Sequence, residues 1–230
     1  MLLSNRILTY AGASNSERTF VSITPHTETD QLLPTSLELS QAKRRLYEVA
    51  LALFGDLGYH AVSLRDIAEA LGQQPSAIYS HVGSKGELLF ELALIGHRGH
   101  HAAIRDALMD AGREPVDQLR AVVGAHLDVH LDFPAMARLT NRELRALDPA
   151  QLDEVLAIRS QSEQFTIDVI DRGVRMGEFD VEDSFLAARA ISAMAMRLPE
   201  WWRAETGPRT REKIHTAYIE YALRVVGWKP

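Results

Sequence analysis

The sequence predicts an all-α protein with a small N-terminal helical unit and a larger helical bundle, with about nine helices in total. Three observations support this prediction. From Ser40 onward, apolar residues recur at helical spacing. Serine, glycine and proline residues divide the pattern at positions typical of helix caps and helix breaks. No run of alternating β-branched residues is long enough for a strand.

Composition limits the classes of function. The chain has 230 residues, of which 46% are hydrophobic, so it can bury a large core. It contains no cysteine, which excludes disulfides and thiolate metal sites. A net charge of -6 does not by itself indicate nucleic acid, so DNA binding would need a local surface. No apolar run reaches the roughly 18 residues of a membrane span, and no signal peptide is evident. We therefore expect a cytoplasmic protein without a membrane partner.

The first 38 residues differ from the rest. Serine, threonine, asparagine and glycine are frequent there, apolar residues show no period, and Pro25 and Pro34 interrupt any helix. We predict a flexible N-terminal extension at 1–38, a helix-turn-helix domain at 39–90 and a second domain at 91–230.

The first helix of the N-terminal unit precedes Gly58, which suits the position just past a helix end. One face of this helix carries apolar residues at i, i+3, i+4, i+7 and i+8, namely Leu46, Val49, Ala50, Leu53 and Phe54.

The second helix begins at a capping box made by Ser63 and Asp66, and Gly72 closes it. Its apolar positions are Leu64, Ile67, Ala68 and Leu71. A third short segment runs from about Pro75 to Val82, with the proline in the first turn, where its missing N–H is harmless.

Ser84 and Glu87 form a second capping box, which opens a long fourth helix. Glycine and proline residues then separate the remaining segments. The predicted helices from this point are 85–111, 115–131, 134–146, 149–174, 182–204 and 209–227.

The second and third helices, joined by a glycine turn, have the outline of a helix-turn-helix. In this motif the later helix, here the third of the chain, can enter a DNA major groove. The leading end of that helix carries small or amide side chains that suit base edges: Gln74, Pro75, Ser76, Ala77 and Ser80. Side chains suited to phosphate are Tyr79, His81 and Lys85, with Ser63 and Arg65 at the second helix. Three short helices with a glycine turn also occur in proteins that do not bind DNA.

The run "AKRRLYEVALALFGDLGYHAVSLRDIAEALGQQPSAIYSHVGSKGELL" resembles the DNA-binding domain of the TetR family of bacterial repressors. The matching motifs are Ala50-x-x-Leu53-Phe54, Gly58-Tyr59, Ser63 to Ala68, Leu71-Gly72, Ile78-Tyr79-x-His81-Val82 and Ser84-Lys85. The resemblance implies that the residues proposed above contact DNA. It also implies a homodimer on a palindromic double-stranded operator, with a small-molecule effector in the C-terminal domain.

The stretch from Arg138 to Arg203 is similar to the C-terminal domains of a TetR subgroup that includes regulators of lipid and sterol breakdown. Some of these respond to acyl-CoA thioesters, so an acyl-CoA or another hydrophobic effector is a hypothesis here, with no other cofactor. Candidate residues for an apolar tunnel are Phe133, Phe165, Met194, Met196, Trp201 and Trp202. Candidates for a cationic mouth are Arg138, Arg142 and Arg145, which share one helix face. The alternative is that the apolar residues are core and the arginines a solvated face.

Two features of the larger domain have plain alternatives. Apolar stripes on the last two long helices, from Phe185 to Ala195 and from Ile214 to Trp228, suit a dimer interface or an intrachain core. The histidines at 97, 100, 101, 126 and 130 have helical spacing, but we expect exposed or hydrogen-bonded side chains and no metal.

Two other classes of function remain open at this point. An enzyme would need a catalytic set, yet the sequence has no Gly-x-Ser-x-Gly, no phosphate loop and no Glu-x-x-His pair. A helical interaction protein without DNA binding is supported only by the even charge balance of the N-terminal unit.

Overall fold

The computed structural model describes residues 8–11, 18–21, 32–202 and 209–229. The all-α prediction is confirmed, because helices form nearly all of the described structure. Their bounds are α1 Gln41–Leu57, α2 Leu64–Leu71, α3 Pro75–Tyr79, α4 Lys85–Asp110, α5 Pro115–Asp132, α6 Pro134–Arg142, α7 Pro149–Met176, α8 Ser184–Met196, α9 Leu198–Trp201 and α10 Arg211–Val225, with a 3-10 turn at Leu144–Ala146.

The segment predicted as a flexible extension contains two short strands, which the sequence pattern did not predict. Strand β1, Leu8–Ala11, pairs antiparallel with β2, Arg18–Val21, so that Leu8 faces Val21. Threonine, aromatic and aliphatic residues in both segments favour extended backbone. The remainder of the prediction for 1–31 lies outside the described residues.

The end of that extension packs against the first helix, contrary to the prediction of flexibility up to residue 38. Leu33 is 4% exposed and belongs to the core around α1. The guanidinium of Arg44 donates to the carbonyl oxygens of Pro34 at 3.1 Å and Leu37 at 2.7 Å. These contacts attach residues 33–37 to the N-terminal unit.

The described residues form two hydrophobic cores. The first joins α1 to α4 with residues of α6 and α7, including Met136, Leu139 and Val155. The second joins α5, α7, α8 and α10 through residues such as Leu127, Ile170 and Ile191. The first core therefore includes residues from both sides of residue 90, the predicted domain boundary. Helix α6 packs directly against α1 of the N-terminal unit. The domain bounds 39–90 and 91–230 stay predictions.

Two predicted helices are interrupted. The segment predicted at 134–146 is α6 followed by the 3-10 turn, and the segment at 182–204 divides at Arg197 into α8 and α9. Pro199 lies in the first turn of α9, where it lacks the N–H that would continue the helix of α8. The direction of the chain beyond Met196 therefore differs from the predicted one.

Helix α4 connects the two cores and packs against α5, α6 and α7. Its contact with α6 is tight at Gly96, where an added Cβ would lie 2.9 Å from Cγ2 of Thr140 and 3.1 Å from Sδ of Met136. In the described part of the chain, no helix has the length and apolarity of a membrane span.

Candidate nucleic-acid interface and effector cavity

The turn between α2 and α3 is fixed by its caps. Ser63 Oγ accepts from the Asp66 N–H at 3.2 Å, and Asp66 Oδ2 accepts from the Ser63 N–H at 2.7 Å, which confirms the predicted capping box. At the other end Gly72 has φ 68, a left-handed conformation that glycine adopts without a Cβ clash. The N–H of Gln73 donates to Ala68 O at 2.9 Å and completes the helix end.

Helix α3 presents its polar face to solvent. Ile78 is fully buried and anchors the helix, whereas Tyr79 is 55% exposed. Gln74, Ser76 and Ser80 are also exposed, and Pro75 and Ala77 are partly exposed. The hydroxyl of Ser80 donates to Ala77 O at 2.7 Å, which leaves its lone pairs as acceptors. The side chains predicted to read bases therefore lie at exposed or partly exposed positions along α3, from its N-cap Gln74 to its C-cap Ser80.

The predicted phosphate contacts have mixed environments. Ser63 and Arg65 are exposed at the start of α2, and His81 is partly buried after α3.

The cap of α4 differs in part from the predicted capping box. Ser84 caps α4 as predicted, but the carboxylate of Glu87 accepts from the Gly83 N–H at 2.8 Å and not from the N–H of Ser84.

Lys85, which the sequence predicts to contact phosphate, also has partners within the chain. Its ammonium donates to the carbonyl oxygens of Tyr59 at 2.9 Å and Val62 at 2.8 Å, and it lies 4.2 Å from the Tyr59 ring centroid. Burial lowers the pKa of Lys85, and nearby Asp66 and Glu143 oppose that shift. Two of its three protons thus hold the loop before α2 to the start of α4.

A cavity of about 230 Å³ lies in the C-terminal domain between α4, α5, α6, α7 and α8. Apolar side chains form much of its wall, and polar groups from α4 to α8 face it. The lining residues include Ile104, Val122, Val129, Phe133, Met136, Ile191 and Met196, together with His97, His100, His126, His130, Thr140, Asn141, Arg159, Glu163 and Arg189.

Of the proposed effector residues, Phe133 and Met196 line the cavity and the others do not. Arg138 donates to Pro199 O at 2.9 Å, and Arg142 pairs with Glu200. Phe165 does not line the cavity; its ring stacks on that of His101, with 5.1 Å between the ring centroids.

Met194 and Trp202 pack against the second core, Trp201 is 49% exposed, and Arg145 is exposed. Trp201 and Trp202 follow the break at Arg197, in and just after α9, and neither lines this cavity.

Four histidines from α4 and α5 line the cavity, and hydrogen bonds join three of them, His100, His126 and His130. His126 Nε2 donates to Ser192 O at 3.1 Å, so its Nδ1 accepts from His100 Nε2 at 2.6 Å. His130 Nδ1 donates to His126 O at 2.8 Å. The side chain of His97 is 8% exposed, and its Nε2 has no hydrogen-bond partner among the described residues.

Burial keeps these imidazoles neutral. It is the largest cause of the lowered pKa of His97, to about 4, and of His100, to about 3. Burial also lowers the pKa of His126 and of His130, and the charge of Arg159 lowers all four further. In the segments that the structure describes, no three histidine, aspartate or glutamate side chains are placed so that they could hold one metal ion. The sequence spacing indicated the histidines, but not that the cavity lies between them.

Two arginines face the same cavity with different partners. Arg189 Nε lies 2.6 Å from Glu163 Oε1, so its charge is paired. The one hydrogen bond of Arg159 within the described segments runs from Nη2 to Met196 Sδ at 3.7 Å, and no carboxylate there lies at salt-bridge distance from it. Helical periodicity gave no signal for Arg159, because a long polar side chain on an amphipathic helix usually faces solvent.

Comparisons with known proteins identify the family. Residues 46–92 match the bacterial regulatory proteins of the tetR family, and residues 112–226 match a Tetracyclin repressor-like C-terminal domain. The HTH-type transcriptional repressor KstR2 of Mycobacterium tuberculosis (strain ATCC 25618 / H37Rv) is 25% identical over 188 residues, which cover 81% of this chain and 93% of that protein.

Solved structures share the fold. A bacterial regulatory protein of the tetR family from Rhodococcus RHA1 is 33% identical with a TM-score of 0.77, covering 84% of this chain and 100% of that one. AibR, solved in complex with isovaleryl coenzyme A and operator DNA, is 20% identical with a TM-score of 0.71, covering 78% of this chain and 96% of that one. The repressor and the Rhodococcus protein are regulators and not enzymes. This chain therefore belongs to the TetR family of bacterial regulatory proteins.

Proposed function

We propose that this chain is a ligand-responsive transcriptional repressor that binds a palindromic operator as a homodimer and leaves it when a small molecule enters the cavity. The observation that carries the proposal is the exposed polar face of α3, held outward by one buried anchor, Ile78. A second element supports it: α2 is fixed across the start of α3 by Gly72 and its caps. This is the arrangement in which a recognition helix enters the major groove while its neighbour crosses the phosphate backbone.

The chemistry of α3 suits base edges. The amide of Gln74 can bond adenine with two hydrogen bonds, and the methyl of Ala77 can contact a thymine methyl. The small side chains of Ser76 and Ser80 allow the backbone to approach the groove. Tyr79 and His81 are suited to phosphate oxygens, which fix the position of the helix and do not read sequence.

A homodimer is supported by an exposed apolar surface on α8 and α10. Leu186 is 61% exposed, and Phe185, Tyr221 and Val225 are also exposed. The other face of the same helices is buried in the second core through Ala188, Ile191, Ile214 and Ala222. Each helix thus has one face buried within the chain and one exposed apolar face. The buried face suits the intrachain core, and the exposed face supports contact with a second copy of the chain. A two-fold dimer would place two α3 helices on two half-sites.

The effector we propose is a hydrophobic small molecule. The cavity of about 230 Å³ is smaller than the roughly 300–1,000 Å³ of typical small-molecule sites, so a compact molecule or one end of a longer one fits it. The fold shared with AibR, which was solved with isovaleryl coenzyme A, supports an acyl-CoA whose acyl group enters while the nucleotide stays outside. We place this activity in the cytoplasm, where a bacterial regulator meets the chromosome.

Coupling between cavity and DNA would pass through α4. Gly96 lines the cavity and touches Thr140 and Met136 of α6 without free space, and the same helix begins beside α3 at Lys85. A ligand that displaces α6 or α4 would therefore change the position of the N-terminal helices. Repression is released only if the ligand binds the displaced state better, by a coupling of about 1–3 kcal/mol.

The test is selection of DNA from a random-sequence pool by the full chain, followed by binding to the selected fragment. We expect a palindromic consensus. Tyr79→Ala should weaken binding about tenfold, equal to about 1.4 kcal/mol, with an unchanged salt slope because no cation is lost. Arg65→Ala should reduce the salt slope by about one. Fluorescence anisotropy at several salt concentrations measures both.

Met109→Ala is the matched control, because Met109 is an exposed side chain of α4 outside the helix-turn-helix. It should bind the fragment as the unchanged protein does. Selection without any enriched sequence would contradict the proposed function. Full binding by Tyr79→Ala would instead show that α3 is not the contact surface.

A further inference from the structure

We infer that the end of the effector that enters the cavity carries a carboxylate, which Arg159 binds with hydrogen bonds from Asn141 and His97. The inference deepens the proposed function and rests on it only for the regulatory consequence, since binding can be measured without DNA. Three observations on the cavity wall support it: the charge of Arg159, two polar atoms without a partner, and the neutral histidines.

The charge of Arg159 is the first observation. Arg159 lines the cavity, and the one hydrogen-bond acceptor of its guanidinium among the described residues is the weak acceptor Sδ of Met196. A partly buried guanidinium without a carboxylate partner has its charge and its donors available to a ligand. The neighbouring Arg189 is different, because Glu163 already neutralises it. An anion in the cavity would therefore be attracted to Arg159 first.

Two unpaired polar atoms are the second observation. Nδ2 of Asn141 and Nε2 of His97 are buried and have no hydrogen-bond partner in the described part of the chain. Both residues line the cavity. Buried polar atoms in native proteins nearly always have a partner, so two orphaned atoms beside one cavity indicate a bound polar group. The amide Nδ2 is a donor only, which requires an acceptor on the ligand.

The neutral histidines complete the argument. His126 has hydrogen bonds at both ring nitrogens, and His100 and His130 each have one. Since they are uncharged, Arg159 is the unpaired cation among the cavity residues described here. Its planar guanidinium matches a carboxylate with two parallel hydrogen bonds. An acyl chain ending in a methyl group would leave Arg159 unpaired.

The test is calorimetric titration of the full chain, without DNA, with hexanoate, hexanamide and isovaleryl coenzyme A as probes. Hexanoate and hexanamide have the same length and differ in charge. We expect hexanoate to bind at least tenfold more tightly than the amide. Arg159→Met should abolish that preference, and Arg159→Lys should keep part of it because the charge remains.

Arg175→Met is the matched control, since it removes an exposed arginine of the same helix α7 that does not line the cavity. It should retain the preference for hexanoate. Equal loss in Arg175→Met and Arg159→Met would overturn the assignment to Arg159. Three outcomes would overturn the inference that the effector carries a carboxylate. Hexanoate and hexanamide could bind equally, or neither could bind. Alternatively, isovaleryl coenzyme A could bind more tightly than hexanoate, with no effect of Arg159→Met on that binding. If DNA binding persists in any of those cases, the proposed function stands while this inference fails.

Discussion

Lys85 shows how one side chain can connect two parts of the N-terminal unit. Its ammonium bonds the carbonyl oxygens of Tyr59 and Val62, which belong to the loop between α1 and α2, while its backbone begins α4. Without it, two carbonyl oxygens would lose a charged donor. The residue therefore contributes to the folding energy of the loop that positions α2.

Lys85→Met should lower the stability of the protein by about 1–3 kcal/mol, because it removes two charge-assisted hydrogen bonds at a partly exposed site. For a chain of this size we expect the midpoint of thermal unfolding to fall by roughly 3–10 °C. Circular dichroism at increasing temperature measures it. An unchanged midpoint together with a DNA salt slope lower by about one would restore the phosphate role predicted from the sequence.

At the scale of elements, the end of α7 depends on the absence of a side chain at Gly173. After α7 the chain turns at Gly177, and Phe179 folds back so that its ring covers the helix. A Cβ built on Gly173 would lie 2.1 Å from Cδ2 of Phe179. The ring and the glycine therefore fit each other, and this contact closes the second core at one end.

Gly173→Ala should reduce the free energy of unfolding by about 1–3 kcal/mol, because the new methyl overlaps a buried ring. Gly99→Ala is the matched comparison, since Gly99 also lies within a helix but has open space around its Cα. There the substitution should raise the free energy of unfolding by up to about 1 kcal/mol through helix propensity. Urea unfolding of both variants measures the difference. A stable Gly173→Ala variant would mean that Phe179 does not pack as described.

At the scale of the whole molecule, folding removes four imidazoles from water. The ionisable groups around the cavity are His97, His100 and His101 from α4, His126 and His130 from α5, Arg159 and Glu163 from α7, and Arg189 from α8. The folded pKa of His97 is about 4 and that of His100 about 3, against 6.5 for an ordinary histidine. Below pH 6.5 the unfolded chain therefore binds more protons than the folded one.

Stability should consequently be fully present above about pH 6.5 and should fall as the pH decreases toward 4. Each buried histidine contributes a slope of up to about 1.4 kcal/mol per pH unit in that interval. Urea unfolding at pH 7.5, 6.5 and 5.5 measures the slope, and His97→Leu should make it shallower by one group. Equal stability at all three pH values would show that the histidines are not buried in the neutral form.

Local signals in the sequence were sufficient for the helix-turn-helix and insufficient for the cavity. Ser63, Gly72 and Pro75 act within a few residues of their own positions, so their caps and turns could be predicted. The carbonyl partners of Lys85 are 23 and 26 residues distant, and no periodicity connects them.

The cavity needs helices from α4 to α8 in their final arrangement. Histidine spacing was therefore visible in the sequence while the role of Arg159 was not. Pro199 indicated a break after α8. The continuing helical spacing of apolar residues nevertheless led to the prediction of one uninterrupted helix.

The attachment of α3 through a single buried residue, Ile78, has a consequence for how such a protein can be redirected. Three neighbouring positions, Gln74, Ser76 and Ser80, face outward and add little to the energy of the folded state, since exposed substitutions usually change it by about 0.5 kcal/mol or less. With the base contacts proposed above, exchanging these three residues would retarget the molecule to another promoter without rebuilding its scaffold. Selectivity and foldability are thus assigned to separate side chains of one short segment.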